Sequence, residues 1–219
     1  MDIGKAFSFV FDDENWIVKV LVGGVLSLIP FVGQILLYGY GLEVMHNAMR
    51  GQSTPLPEWD DWGGKLVKGI MYFVIGFVYA LPIIILAACF GVLMWALGAT
   101  EAERAIDTIG SLGGLCFGGF AFLYGILITL ALPPALGRYL ETGDLAAAFR
   151  FGEVFALARD NIGAWIIALV VAWLAGLVAS LGIILCVVGI LFTAFWANLV
   201  MMYLWGDVYR QASAKSLAV

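Results

Sequence analysis

Along the chain, four long stretches free of Asp, Glu, Lys and Arg alternate with short charged segments: Val20–Leu42, Gly69–Thr100, Thr108–Gly137 and Ile162–Gly206. About 20 apolar residues suffice for a helix to cross a bilayer, and a charge at its centre costs about 2.5–3.5 kcal/mol. Each stretch therefore predicts membrane-embedded helix. The last is about twice the length of one crossing and predicts a C-terminal helical hairpin over residues 161–208, turned near Ser180–Ile183, where Gly182 interrupts the pattern. The first carries Pro30 and Gly33 in its middle, which predicts a hairpin over residues 16–50 broken at Pro30–Gly33. A third helix over 65–99 and a fourth over 107–139 complete six transmembrane or re-entrant helices. Trp16–Ile29 is about 20 Å long, short of a hydrocarbon core of about 30 Å, so a re-entrant first hairpin stays open beside a spanning one.

Charge placement favours the hairpin. With six helices, Lys5, Lys19, Arg50, Lys65, Lys68, Arg138, Arg150, Arg159, Arg210 and Lys215 fall on one side and only Arg104 on the other, in the short loop that also holds Glu101, Glu103 and Asp107. Basic residues gather on the cytoplasmic side of polytopic proteins, which places both termini in the cytoplasm. A single first crossing would set Lys5 and Lys19 against Arg50, Lys65 and Lys68 and erase the asymmetry. The expected fold is an all-α polytopic helix bundle, one membrane domain over residues 1–219.

Two flanking segments read as amphipathic helices in the interface. Residues 2–15 place Ile3, Ala6, Phe7, Val10 and Phe11 at helical spacing against Asp2, Lys5, Ser8 and Asp12. Asp2 and the acidic Asp12–Glu14 run are unlike a cleavable signal peptide. Residues 144–159 repeat the pattern less cleanly, with Asp144 as an N-cap. Gly4–Asp12 also echoes Gly152–Asp160, each leading into an Asn, a Trp and a hairpin with a glycine break, so an internal repeat of like orientation is expected.

Composition narrows the chemistry. The chain is 63% hydrophobic and 12% charged, with a mean hydropathy of +1.01, and charged surface of that extent cannot cover a soluble fold. A net charge of -5 excludes the basic patch that nucleic acid requires. One His and three Cys in apolar stretches give no zinc spacing, disulfide framework or haem attachment, so no metal and no cofactor is expected.

The segment between the second and third helices, residues 51–64, is the most distinctive. Pro55 and Pro57 stiffen an extended approach, Pro57 suits a first helical turn, and Glu58, Asp60 and Asp61 favour a positive helix end. Trp59 and Trp62, three apart, fit a shared place at headgroup level with Leu56 and Leu66, and Asp61 stands at pairing distance from Lys65. Divalent-cation binding by the three carboxylates is weaker than their reading as helix caps. This Pro55–Trp62 stretch, the Ile29-Pro30 break ending at Gly33, and the Gly-rich final hairpin resemble an uncharacterised prokaryotic membrane family, domain of unknown function 4013. The resemblance implies the membrane topology over nearly the whole chain and brings no activity, substrate or catalytic residue.

Three sets of residues are candidates for function. Glu43, His46, Asn47 and Arg50 line one face near the cytoplasmic end of the second helix, with Glu43 about 10 Å of helix rise inside Arg50. An ionisable residue at that depth points to a proton relay, a cation site or a substrate contact, set against a bond from Glu43 to Asn47 or His46 that merely closes the bundle's end. The loop residues Pro55, Pro57, Glu58, Trp59, Asp60, Asp61 and Trp62 form the second set. The third is small residues every four positions, Gly110, Gly114 and Gly118, then Ala164, Ala168, Ala172, Gly176 and Ser180, which suit close helix packing within the chain or against a partner. Pro82 and Pro133–Pro134 predict kinks. The remaining polar residues inside the apolar stretches are Gln34, Tyr38, Tyr40, Tyr124, Thr129, Thr193, Asn198 and Tyr203.

No catalytic constellation is present in these patterns, since Ser53 and Thr54 lack a nearby base and no phosphate loop follows a strand. The expected function is that of a non-enzymatic accessory, scaffold or subunit protein in a prokaryotic cytoplasmic membrane, contacting lipid and either a membrane-protein partner or a second copy. A small-solute or ion carrier or channel is the alternative, and a lipid-handling protein a third.

Overall fold

The computed structural model describes residues 3–98, 103–182 and 186–216. The described residues are helical, in the order α1 (Ile3–Ser8), a 3-10 turn (Phe9–Asp12), α2 (Trp16–Leu26), α3 (Val32–Met49), α4 (Trp62–Gly98), α5 (Glu103–Thr142), a 3-10 turn (Leu145–Phe149), α6 (Phe151–Asp160), α7 (Ile162–Ser180) and α8 (Cys186–Ser216). Four helices, α4, α5, α7 and α8, are long and apolar enough to cross a membrane. The α2 helix is apolar but has only 11 residues, a rise of about 16 Å.

The break between α2 and α3 is built on backbone geometry. Phe31 adopts φ 63° and ψ −72°, and the Val32 N–H donates to the Pro30 carbonyl at 2.8 Å. This three-residue loop is a γ-turn of the strained, positive-φ kind. Glycine at position 33 is required for the return, since a Cβ there would strike the Leu26 carbonyl oxygen.

Packing of the bundle depends on glycines that let backbones touch. A Cβ at Gly39 would meet the Lys65 carbonyl oxygen, and one at Gly69 would meet that of Ile35, so α3 and α4 cross in contact and antiparallel. Gly23 and Gly24 of α2 receive the rings of Phe195 and Phe192, Gly206 of α8 abuts the Met45 carbonyl, and Gly137 of α5 accommodates Tyr209. The core closes around Tyr40, Leu42, Met45, Leu136, Trp165, Leu199, Met202 and Leu204.

Burial ends abruptly part-way along α4 and α5. Tyr79 and Ala131 are buried, whereas no side chain is buried from Leu81 to Leu97 of α4 or from Gly110 to Leu130 of α5. The two helices touch each other there through the parallel rings of Phe90 and Phe117 at 5.8 Å, and Phe120 stacks on Tyr124 within α5. They form an apolar arm that the remaining helices leave largely uncovered, α6 and α7 flanking it only at its base from Leu123 to Leu130. Pro82 lies inside α4, and Pro133 and Pro134 lie inside α5, which continues through them to Thr142.

The flanking segments are seated on the bundle. Phe9 stacks on Tyr203 of α8 with centroids 4.6 Å apart, and Ala6, Phe9 and Val10 are buried while Ile3 and Phe11 face outward. The second segment, expected as one helix over 144–159, is two pieces divided at Arg150. Asp144 caps the first piece, accepting from the Ala146 N–H at 3.0 Å. Ala147, Ala148, Val154 and Ala158 point inward, with Phe151 and Phe155 exposed.

Candidate functional site

Residues 51–61 cross the charged end of the bundle as an extended strap, and α4 starts only at Trp62. Pro57 therefore does not open a helix. It stiffens the strap, whose carbonyls are taken up one by one: Tyr40 donates its hydroxyl to the Pro57 carbonyl at 2.8 Å, and the Asn47 amide donates to that of Pro55 at 3.0 Å. Pro55 and Leu56 are buried beneath it. Neither proline has an N–H to leave unpaired, which suits residues held against an apolar surface.

Trp59 is the strap's anchor. Its ring stacks on Tyr40 at 4.3 Å and on Trp62 at 5.3 Å, and its Nε1 donates to the Lys19 carbonyl of α2 at 3.1 Å. Sequence spacing predicts the meeting of Trp59 and Trp62 but not the tie to α2, forty residues away.

Three lysines hold the carboxylates around this strap. Lys65 is 1% exposed, binds Glu43 at 2.9 Å and lies 3.7 Å from Asp60. Lys68 binds the other Glu43 oxygen at 2.7 Å. Lys19, 3% exposed, binds Asp13 at 2.7 Å and Glu58 at 2.6 Å. Glu43 thus bonds to neither Asn47 nor His46, because both of its oxygens are taken by α4, which the antiparallel α3–α4 crossing brings across from it. Lys65 is similarly drawn from Asp61 to Glu43. Asp61 is instead the N-cap of α4, accepting from the Gly64 N–H at 2.8 Å, the usual task of an Asp ahead of a helix. Asp60 accepts from the Asp61 N–H at 2.8 Å, and this backbone bond holds its carboxyl below the ordinary carboxylate range.

His46 and Arg50 lie apart from this cluster, in a cleft of about 370 Å³ lined also by Glu141, Tyr209 and Arg210. Tyr209 donates its hydroxyl to Glu141 at 2.6 Å. The α8 residue Asp207, 4% exposed, binds Arg210 at 2.5 Å and the Gln211 amide at 2.8 Å. Asp207, Lys19 and Lys65 are polar residues whose burial the sequence does not announce; each follows or precedes an apolar run by a residue or a few, and only the fold shows that it turns inward. Among the described residues no group of three His, Cys, Asp or Glu side chains could hold a metal ion.

The small-residue stripes divide. On α7 the buried positions are Trp165, Ala168, Val171, Ala175 and Ala179. Ala164 and Ala172 are half-buried, and Gly176 and Ser180 face outward. Steps of four advance about 40° around a helix of 3.6 residues per turn, so a strict four-residue stripe winds off the packed face. On α5, Gly110 approaches only Met94, while Gly114 and Gly118 have open space where a Cβ would be.

A family model for a protein of unknown function (DUF4013) matches residues 22–188, from within α2 to the first turn of α8. The chain belongs to the DUF4013 family. That span takes in the γ-turn break, the strap with its Pro55–Trp62 stretch, and the whole α4–α5 arm. No curated protein and no solved structure matches this DUF4013 chain.

Proposed function

We propose that this DUF4013 protein is a non-enzymatic subunit or scaffold of a complex in a prokaryotic cytoplasmic membrane, with both termini on the cytoplasmic side. The observation that carries this reading is the largely uncovered arm of α4 and α5, whose glycine face at Gly114 and Gly118 has no neighbour among the described residues. A groove of that kind admits another helix at close range. The charged end of the bundle fits the same role, because Glu43 and its lysines tie α3 to α4, and Lys19 ties α2 to the strap. An ion carrier calls for an ionisable group free to change partners in the apolar interior, and Glu43 is held by two cations.

In this reading α4, α5, α7 and α8 cross the bilayer. The α2–α3 hairpin enters from the cytoplasmic side, the arrangement that keeps Lys19, Arg50, Lys65 and Lys68 together. The test is blue-native electrophoresis of the protein extracted in a mild detergent. It is expected to migrate as a defined homo-oligomer or hetero-complex that Gly114→Leu and Gly118→Leu dissociate. A clean monomer in native membranes crosslinked before extraction overturns the proposal.

A further inference from the structure

Two clefts meet at the α2–α3 break, opposite in character and joined through the same two residues. One, of about 900 Å³, lies between the break and α4 and is apolar apart from Ser27 and Gln34; Phe31, Ile70, Phe73 and Phe77 form its walls. The other, of about 270 Å³, lies between α3 and α8 and is lined by Ser27, Gln34, Tyr38, Phe195 and Asn198. Gln34 is exposed there, and among the described residues no hydrogen bond reaches its amide. The Asn198 Oδ1 also lacks a partner but is shut in against Gly41 of α3, and the amide nitrogen of Asn198 is the end left accessible. Around them the surface is apolar, with Leu28, Ile29, Phe31, Val32, Phe73 and Phe77 all exposed. Gln34 is nine residues before Glu43, about 13 Å of helix from the charged end.

In the membrane reading proposed above these amides face hydrocarbon, where an amide without a partner costs a few kcal/mol, and a ligand that is polar, uncharged and attached to something long and apolar completes the site. Among the described residues no cation or carboxylate lines either cleft, which disfavours a charged headgroup, whose desolvation would go unanswered. Gln34 offers both an N–H donor and a carbonyl acceptor, and Asn198 adds an N–H donor. A head that carries a hydroxyl together with ester carbonyls satisfies both kinds. A quinone offers acceptors alone.

We propose that the joined clefts bind a diacylglycerol, its hydroxyl and ester carbonyls on Gln34 and Asn198 and its acyl chains along the Phe31–Phe73–Phe77 trough. Ser27 is already committed to the Gly23 carbonyl at 3.0 Å and serves as wall. Tyr38, stacked on Tyr72 of α4 at 4.3 Å, lines the polar cleft. The site needs no second protein, so it stands independently of the association proposed above.

The experiment is native mass spectrometry of the full-length protein in detergent with dioleoylglycerol as the probe, run beside dioleoylphosphatidylcholine and a short-chain isoprenoid quinone. One dioleoylglycerol per chain is expected, retained at least tenfold better than either control. Gln34→Leu is expected to weaken retention about tenfold, the loss of one or two hydrogen bonds, while leaving the melting temperature unchanged or higher. Val74→Trp, which fills the trough from the α4 side without touching the amides, is expected to weaken it as well, and so reads the site even if Gln34→Leu misfolds. Retention of the phospholipid or the quinone at the level of dioleoylglycerol, equal retention in both variants and the parent, or no retention at all overturns the proposal.

Discussion

Glu43 of α3 and Lys65 of α4 meet at 2.9 Å, with the lysine 1% exposed. The pair lies beside a close backbone approach between α3 and α4, where Gly39 presses on the Lys65 carbonyl. Charge and close packing are therefore coupled: the lysine can be buried only because α3 comes near, and α3 brings the carboxylate that neutralises it.

Removing one partner of such a pair leaves an uncompensated charge, at a cost of about 3–5 kcal/mol. Glu43→Gln is expected to lower the thermal midpoint in detergent sharply, and Glu43→Leu combined with Lys65→Met to recover most of the loss. Thermal unfolding followed by circular dichroism checks both. Equal stability of Glu43→Gln and the parent would show that the pair has no structural role.

Trp59→Ala is expected to cost about 3 kcal/mol, the usual loss for an aromatic anchor, and to free the strap. Limited proteolysis between Gly51 and Asp61 should accelerate, while Trp62→Ala, whose ring is exposed, has a smaller effect.

The glycines separate by role. Gly39→Ala and Gly69→Ala force a Cβ into a facing carbonyl oxygen and are expected to destabilise by about 1–3 kcal/mol. Gly114→Ala and Gly118→Ala meet nothing among the described residues and, relieved of glycine's helix penalty of about 0.5–1 kcal/mol, are expected to match or slightly exceed the parent as monomers. Melting curves of the four variants decide the matter.

Phe31 supplies a gain in the opposite direction. Its positive φ stores about 1–3 kcal/mol of strain that glycine does not incur, so Phe31→Gly is expected to raise the melting temperature. If it also weakens diacylglycerol retention, the strained ring is maintained for the trough it lines.

Asp60 gives a pH dependence of known sign. Its carboxyl is held below the usual value in the fold, so its contribution is complete above about pH 4, the unfolded value, and is lost as pH falls through the lower folded one. Strap proteolysis measured across that window is expected to rise on acidification, with the Asp60 share of the rise absent in Asp60→Asn.

The legible part of this chain was its periodicity and its punctuation. Uninterrupted apolar runs announced the long helices, Pro30 and Gly33 announced the break, and the resemblance over nearly the whole chain announced the family. The pairings at the charged end were not legible, because local spacing offers Asp61 to Lys65 and Asn47 to Glu43, and both offers are declined for partners brought by helix crossing. The α7 stripe misleads for a geometric reason, since four-residue steps drift around the helix and leave Gly176 and Ser180 outside the seam. Lys19 and Asp207 look like boundary charges in one dimension and become interior only when the strap and α8 close over them.

Because Leu81–Leu97 and Gly110–Leu130 contain no buried side chain, those positions owe little to the chain's own stability. Their side chains are tuned by whatever surrounds them in the cell. A saturation library confined to this arm would thus chart an external environment: uniform tolerance of any greasy residue would be the imprint of fluid lipid, and a narrow row of intolerant sites the outline of a neighbour.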